Sequence, residues 1–350
     1  MPQQVARTTD AGNGVVAVDT LYLRPSADAS HLVIADGHAA FVDTGTNSSV
    51  PYLLDALRQY DLEPGDVDYV FLTHVHLDHA GGAGTLMQAL PNARCIIHPR
   101  GAPHMADPSK LIAGTQGVYG KQQAFELYGE IVPIDAARII EAADEDRFTF
   151  GGREVRALHT EGHARHHYCL HDPQSRGVFT GDSFGISYRE LDTAQGEFIF
   201  PTTTPSSFDP DEAHKSVDRI MACEPRYLYL THYSRVADLE RLAADMHAGI
   251  DAFVEIALAH KSDPDREVTI RGALEDHLLA RVFEHGFAGD RDAARAVLEG
   301  DIVLNAQGLV AWLERLEKYD GSVPGLSHRR KRRRDSRGVR GTHARRPDRG

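Results

Sequence analysis

Cysteine is scarce in this chain of 350 residues: Cys95, Cys169 and Cys223 are far apart and odd in number. That excludes a disulfide framework and a Cys-x-x-Cys zinc site, and it fits thiols in a reducing compartment. Long apolar runs are missing as well. No stretch approaches the ~20 apolar residues of a membrane helix, and Met1-Pro2-Gln3-Gln4-Val5-Ala6-Arg7 has no apolar signal core. A cytoplasmic protein without a membrane partner is therefore expected. Motifs for a serine or cysteine nucleophile are also lacking, which argues against covalent catalysis by a side chain. With 41% hydrophobic residues the chain can still bury one large domain plus an appendage.

Histidine is what the chain has in quantity. It has 20, and three of them fall with one carboxylate inside Thr73-His74-Val75-His76-Leu77-Asp78-His79-Ala80-Gly81-Gly82, directly after the apolar run Tyr69-Val70-Phe71-Leu72. Imidazole nitrogen and carboxylate oxygen are the ligands that zinc and iron prefer. An apolar strand feeding a polar loop, followed by a small-residue helix start, aims such ligands at one point. Taken alone, the segment could also be a solvated polar turn. Three later segments decide against that, each putting a ligand type just after a strand-like run. They are Val155-Arg156-Ala157-Leu158-His159-Thr160-Glu161-Gly162-His163, Gly177-Val178-Phe179-Thr180-Gly181-Asp182 and Tyr227-Leu228-Tyr229-Leu230-Thr231-His232. A lone Gly-Asp or Thr-His is more often turn chemistry; their shared placement after strands reverses that. Earlier, the strand-like residues 39–42 run into Asp43-Thr44-Gly45.

These five motifs, in this order, resemble those of the metallo-β-lactamase fold superfamily, over about residues 15 to 235. The resemblance implies an α/β fold, a four-layer αββα sandwich with metals at one edge between two sheets. It implies one metal held by His74, His76 and His163, a second by Asp78, His79 and His232, and Asp182 bridging both. Two divalent ions are then the cofactors, zinc foremost, with iron and manganese compatible. Two carboxylates facing two dications leave residual positive charge, which acidifies a bridging water. Asp43 is not a ligand in this pattern and is expected to orient the loop of the first motif.

Within the superfamily, Thr160-Glu161-Gly162-His163-Ala164-Arg165-His166-His167 is similar to the Thr-Pro-Gly-His-Thr-x-Gly-His segment of glyoxalase II-like hydrolases. Glu161 replaces the proline and His166 the second glycine. His167 matches that segment's second histidine, with a bracing role expected. Nucleases of the superfamily insert a large domain or arm, whereas 49 residues separate Asp182 from His232. Lactonases carry a tyrosine three residues after the bridging aspartate, where this chain has Gly185, with Tyr188 beyond. Flavodiiron proteins have glutamate in place of His76.

Strand-like patterns cover residues 15–23, 31–35, 39–42, 69–72 and 94–98, and helical ones residues 48–60 and 80–90. Residues 99–128 lack clear periodicity and hold Arg100, His104, Tyr119, Lys121 and Tyr128 among Gly and Pro, as an active-site lid or a surface excursion would. After His232 the pattern is helical over 236–261, 270–285, 291–299 and 301–319. The expected division is a sandwich domain at 1–262, a small C-terminal helical cap at 263–320 and a disordered basic tail at 321–350. Residues 328–350 carry +9 and the whole chain −13, so the rest carries −22. Arg329-Arg330-Lys331-Arg332-Arg333-Arg334 could meet nucleic acid, but residues 329–346 have no aromatic residue to stack on a base, and a merely solvated tail is favoured.

The expectation is a glyoxalase II-like, cytoplasmic dinuclear hydrolase that cleaves a small-molecule thioester or lactone by a metal-bridging hydroxide. Asp78 is expected to act in catalysis through the second metal, and Tyr233 as a donor to a developing oxyanion. Phe184, Tyr188 and Arg189, just after Asp182, are the expected substrate contacts. Two alternatives stand beside it: a mononuclear iron oxidoreductase like the persulfide dioxygenases, and a nucleic-acid-binding or nuclease role using the tail. The sequence does not give the oligomeric state.

Overall fold

The apolar runs pair into two sheets in a computed structural model that describes residues 5–203, 205 and 207–321. The first sheet runs β1 (Thr8–Gly12), β2 (Val15–Asp19), β3 (Ala29–Ala35), β4 (His38–Val42), β5 (Val67–Leu72), β6 (Arg94–Ile97) and β7 (Ile139–Glu141), in that order. The second holds β8 (Arg147–Phe150), β9 (Arg153–His159), β10 (Tyr168–Asp172), β11 (Gly177–Gly181), β12 (Tyr227–Leu230) and β13 (Ser234–Val236), again in sequence order across the sheet. Hairpin neighbours are antiparallel; β4 to β7, and β11 with β12, are parallel. Parallel neighbours need crossovers. Helices α1 (Val50–Gln59), α2 (Leu77–Ala80) and α3 (Ala83–Ala89) supply them in the first half. In the 99–128 segment come α4 (Ala102–Ala106), α5 (Ser109–Tyr119) and α6 (Lys121–Tyr128), and between β11 and β12 comes α7 (Pro210–Met221). The chain then turns helical: α8 (Leu239–Ala259), α9 (Arg266–Glu284) and α10 (Arg291–Gly321).

Both faces of each central strand are buried, which is why these strands read as unbroken apolar runs. Phe71 of β5 points inward to Phe148, Phe150 and Tyr168 of the second sheet. Val70 and Leu72, its neighbours on either side, point outward to Leu53 and Leu57 of α1 and Leu86 of α3. On the far side, Leu158, Val178 and Leu228 of the second sheet meet Val217 of α7 and Phe253 of α8. Helix, sheet, sheet, helix is the four-layer sandwich expected. Each layer contact buries large aliphatic or aromatic side chains, about 1.5–3 kcal/mol apiece.

Several local expectations change. The first long strand stops at Asp19, because Leu21 and Leu23 take left-handed backbone angles (φ 56° and 58°). The helix expected at 80–90 divides into α2 and α3 around Gly81 and Gly82. The 99–128 segment is helical. Its Gly101, Pro108, Gly120 and Gly129 are caps of short helices, and α5 buries no residue, so no apolar period was there to read. The two helices expected at 291–299 and 301–319 are one; a single interior glycine, Gly300, weakens a helix without breaking it.

Residue 263 falls inside one compact unit that runs to Leu313, so the expected boundary there is not a break in packing. Ile270 and Leu274 of α9 and Leu298 and Ile302 of α10 share one apolar cluster with the second sheet. Over Arg291–Lys318, α10 has the length and apolar character of a membrane span, an exception to the expectation that no such stretch exists. Its Leu298, Ile302 and Leu309 turn that apolar face to the core. The basic segment at 329–346 lies outside the described residues.

Candidate metal centre

Five strand ends meet at one edge of the sandwich. β4 ends at Asp43, β5 at the loop carrying His74, His76, Asp78 and His79, β9 at the loop carrying His163, β11 at Asp182 and β12 at His232. Two glycines permit the close approach. A side chain at Gly181 (φ +47°) would meet His167 Nε2 and Thr73 Oγ1 at 2.6 Å, and one at Gly162 (φ +123°) would overlap the backbone of Ala213 at 2.5 Å.

The seven residues expected as ligands fall into two groups: His74, His76, His163 and Asp182, and Asp78, His79 and His232, with the ligand-type atoms of each group within 4.8 Å of one another. In the first, His76 Nδ1 lies 2.8 Å from His74 Nε2 and 3.1 Å from His163 Nε2. In the second, Asp78 Oδ2 lies 3.8 Å from His79 Nε2 and 3.6 Å from His232 Nε2. Asp182 divides its oxygens between them: Oδ2 is 3.3 Å from His163 Nε2, and Oδ1 is 3.2 Å from His79 Nε2 and 3.6 Å from His232 Nε2.

Three of the imidazoles are held by their other nitrogen. His79 Nδ1 pairs with Asp43 Oδ2 at 2.8 Å, His232 Nδ1 with the Ala27 carbonyl at 2.9 Å and His163 Nδ1 with the Thr202 carbonyl at 3.2 Å. Since carboxylates and carbonyls accept, these nitrogens donate, which turns each Nε2 toward the centre, where it can be the ligand atom once the ring is neutral. Asp43 also accepts from the Thr73 backbone N–H and hydroxyl and from the Thr231 hydroxyl, tying the first-motif loop to the end of β12. His167 braces from below: its Nε2 accepts from the Asp182 N–H at 3.2 Å, and its Nδ1 lies 3.0 Å from the hydroxyls of Thr160 and Ser183.

Burial, then neighbouring imidazoles, hold His74 and His76 well below the ordinary histidine range. Burial also pushes His79 down, but Asp182, Asp43 and Asp78 outweigh it and hold it well above that range. In the same way Asp182 and Asp78 overcome burial at His232 and raise it to about 10. The donor set fits divalent metal. His79 Nε2 and Asp182 Oδ1 are buried and have no hydrogen-bond partner, an arrangement a cation between them would satisfy.

A cavity of about 550 Å³ opens beside the two groups, with His76, Asp78, Asp182 and His232 at its floor. Of the expected substrate contacts only Tyr188 lines it, with its hydroxyl donating to Asp301 at 3.4 Å. Phe184 is a correction: a turn in which the Gly185 N–H donates to the Asp182 carbonyl sends its ring into the core, fully buried. Arg189 is another, since its guanidinium folds back onto the Ser187 carbonyl at 2.7 Å and onto Asp192 at 3.3 Å. Tyr233 is a third; it does not line the cavity, and burial pushes its phenol up from the ordinary tyrosine value.

The cavity is lined instead by Tyr22, Arg24, Tyr128 and Asp301, together with residues of α5 and further residues of α10. Tyr22 and Tyr128 hydroxyls lie 3.0 Å apart, and Arg24 stacks over the Tyr188 ring at 4.4 Å. From 99–128, His104, Tyr119 and Tyr128 reach the cavity; Arg100 and Lys121 do not, Arg100 pairing with Glu161. Tyr22 was hidden in what read as a strand. Asp301 carried no local signal beyond a carboxylate next to a glycine.

The sequence profile of the metallo-beta-lactamase superfamily matches residues 24–232. The chain belongs to this superfamily. The metallo-beta-lactamase fold-containing protein ST1585 of Sulfurisphaera tokodaii is 25% identical over 214 residues, covering 59% of this chain and 73% of its own. Glyoxylase B2 of Dictyostelium discoideum is 27% identical over 151 residues, 42% of this chain and 44% of its own. The atrochrysone carboxyl ACP thioesterase of Aspergillus chevalieri is 27% identical over 156 residues, 44% of this chain and 39% of its own. The match thus spans less than half the length of these last two relatives. In three dimensions the solved ST1585 structure superposes with a TM-score of 0.58 at 21% identity, covering 88% of this chain and 99% of that one. A family member from Thermus thermophilus, TTHA1429, gives 0.58 at 19% identity, over 83% and 89%. Both share the metallo-beta-lactamase fold.

Proposed function

We propose that this protein is a hydrolase with two divalent metal ions, zinc foremost, that cleaves a thioester or lactone. The observation that carries this reading is the division of Asp182, one oxygen toward each imidazole group. His74, His76 and His163 would hold one ion, Asp78, His79 and His232 the other, with Asp182 shared. Bound there, such ions supply Lewis acidity to a carbonyl oxygen and acidify a water. The chain's own residues do the rest. Asp43 and the carbonyls of Ala27 and Thr202 fix the imidazoles, so no ligand has to reorient during turnover. Tyr22, whose phenol burial and Asp78 keep protonated, donates toward a substrate oxygen in the cavity. The thioester class draws support from relatives whose names include a glyoxylase and a thioesterase. A reducing, cytoplasmic setting draws support from three free cysteines.

Elemental analysis of metal-loaded protein should find two ions per chain. Asp78→Ala should lose the second ion and lower hydrolysis more than about 100-fold, and His76→Ala should act through the first. One tightly held iron, with His79 and His232 dispensable and oxygen taken up with a persulfide, would replace this reading by an oxidoreductase.

A further inference from the structure

Helix-interior glycines are unfavourable, so each needs a reason. Gly114 in α5 and Gly300 in α10 have none in the backbone: neither takes a left-handed angle, and neither has an atom within 4 Å of where a Cβ would sit. Both line the cavity beside the metal centre, where what they leave is empty volume. Around them the two helices present Leu111, Val118, Val297 and Leu304 to the same space. At the mouth, Leu23 is 72% exposed and Val118 46%, an apolar entrance that water alone does not favour. The volume, about 550 Å³, falls within the ~300–1,000 Å³ of pockets that enclose a whole small ligand. The cavity is thus polar at the metal floor and mostly apolar between α5 and α10, where Lys110, Thr115 and Asp301 are charged or hydroxyl exceptions among Leu111, Val118, Val297 and Leu304.

We propose that the α5–α10 slot binds the unbranched apolar chain of an acyl substrate, with its carbonyl at the metal floor, and that Gly114 and Gly300 set the chain length accepted. The substrate class is then a medium- or long-chain acyl thioester, or the matching lactone, in preference to a short polar acyl group. This rests on the hydrolase reading for its reaction, although the slot itself does not. In that reaction the water oxygen bonds to the acyl carbon, the carbon–sulfur or carbon–oxygen bond breaks, and a proton passes to the leaving thiol or alcohol. Nothing is oxidised.

Dansylundecanoic acid, a fluorescent fatty-acid analogue, tests the slot without turnover. The metal-loaded full chain should bind it, and Gly300→Leu, which fills the slot, should weaken binding at least tenfold. Gly300→Leu should not lower Tm, because the added side chain enters open space. Gly117→Leu is the control. It is in α5, also has no atom within 4 Å of its Cβ position, but lies outside the cavity lining, so it should leave binding unchanged. In hydrolysis, the ratio of decanoyl to acetyl thioester kcat/KM should exceed one and fall at least tenfold in Gly300→Leu. No binding of the probe, or equal weakening by Gly117→Leu and Gly300→Leu, would overturn the slot. Probe binding lost only in Gly300→Leu, with no thioester or lactone hydrolysed, would keep the slot and reject the hydrolase reading.

Discussion

Asp43 Oδ2 meets His79 Nδ1 at 2.8 Å, and this contact determines which nitrogen of His79 faces Asp182. Asp43 is not among the ligand-type residues that converge on the centre. Its carboxylate acts one bond further out, and it also gathers the Thr73 and Thr231 hydroxyls.

Asp43→Asn should therefore weaken metal affinity by about 10–100-fold at the group containing His79, with less effect at the group containing His74. Competition against a chelator measures both. Unchanged affinity at both groups would mean that Asp43 positions nothing.

The cavity lining separates Tyr188 from Phe184 and Arg189, which sequence proximity to Asp182 had grouped, and puts Tyr22 where Tyr233 was expected. Tyr22→Phe should lower kcat at least about tenfold with KM little changed, as removal of an oxyanion donor does. Arg189→Ala and Tyr233→Phe should leave both constants within about twofold, since neither residue faces the cavity. Steady-state kinetics on any hydrolysed substrate decides. A larger fall for Tyr233→Phe than for Tyr22→Phe would restore the assignment made from sequence.

His31 lies buried between Phe179 and Tyr229, with an Nε2 that has no partner. Burial pushes it down from 6.5 to about 4. The unfolded chain takes up that proton first as pH falls, so stability should drop between pH 6.5 and 4, by on the order of 3 kcal/mol. His31→Phe should flatten this slope when melting of the metal-loaded protein is followed across the window. An unaltered slope would assign the acid sensitivity elsewhere.

The candidate ligand set was legible because each of its segments opens within a few residues of a strand end, a rigid place that leaves a one-dimensional mark. Asp182 and His232 needed no knowledge of packing. The cavity wall did not announce itself, because it is built from positions that nothing local distinguishes. Tyr22 sits on a left-handed bend between Leu21 and Leu23. Gly300 looked like a helix end and is a helix interior. The helices of 99–128 were illegible for a further reason: α5 buries none of its residues, so the alternation that betrays a helix never formed.

Deleting residues 328–350 should leave melting and hydrolysis unchanged, because that segment offers only Val339 and Ala344 as apolar side chains. Comparison of full-length and truncated protein at saturating substrate checks it. Salt-dependent nucleic-acid binding that disappears on truncation would give the tail a role of its own.

Asp43 and the loop from His74 to His79 come from the first sheet, whereas His163, Asp182 and His232 come from the second. An ion shared through Asp182 would therefore fasten the two halves of the sandwich along the one edge where polar loops, and not apolar side chains, meet. The edge that carries the candidate metal centre is also the seam of the molecule. Chelation would then silence such an enzyme and also unbutton it, and metal supply would set how long a folded copy survives as well as how fast it works.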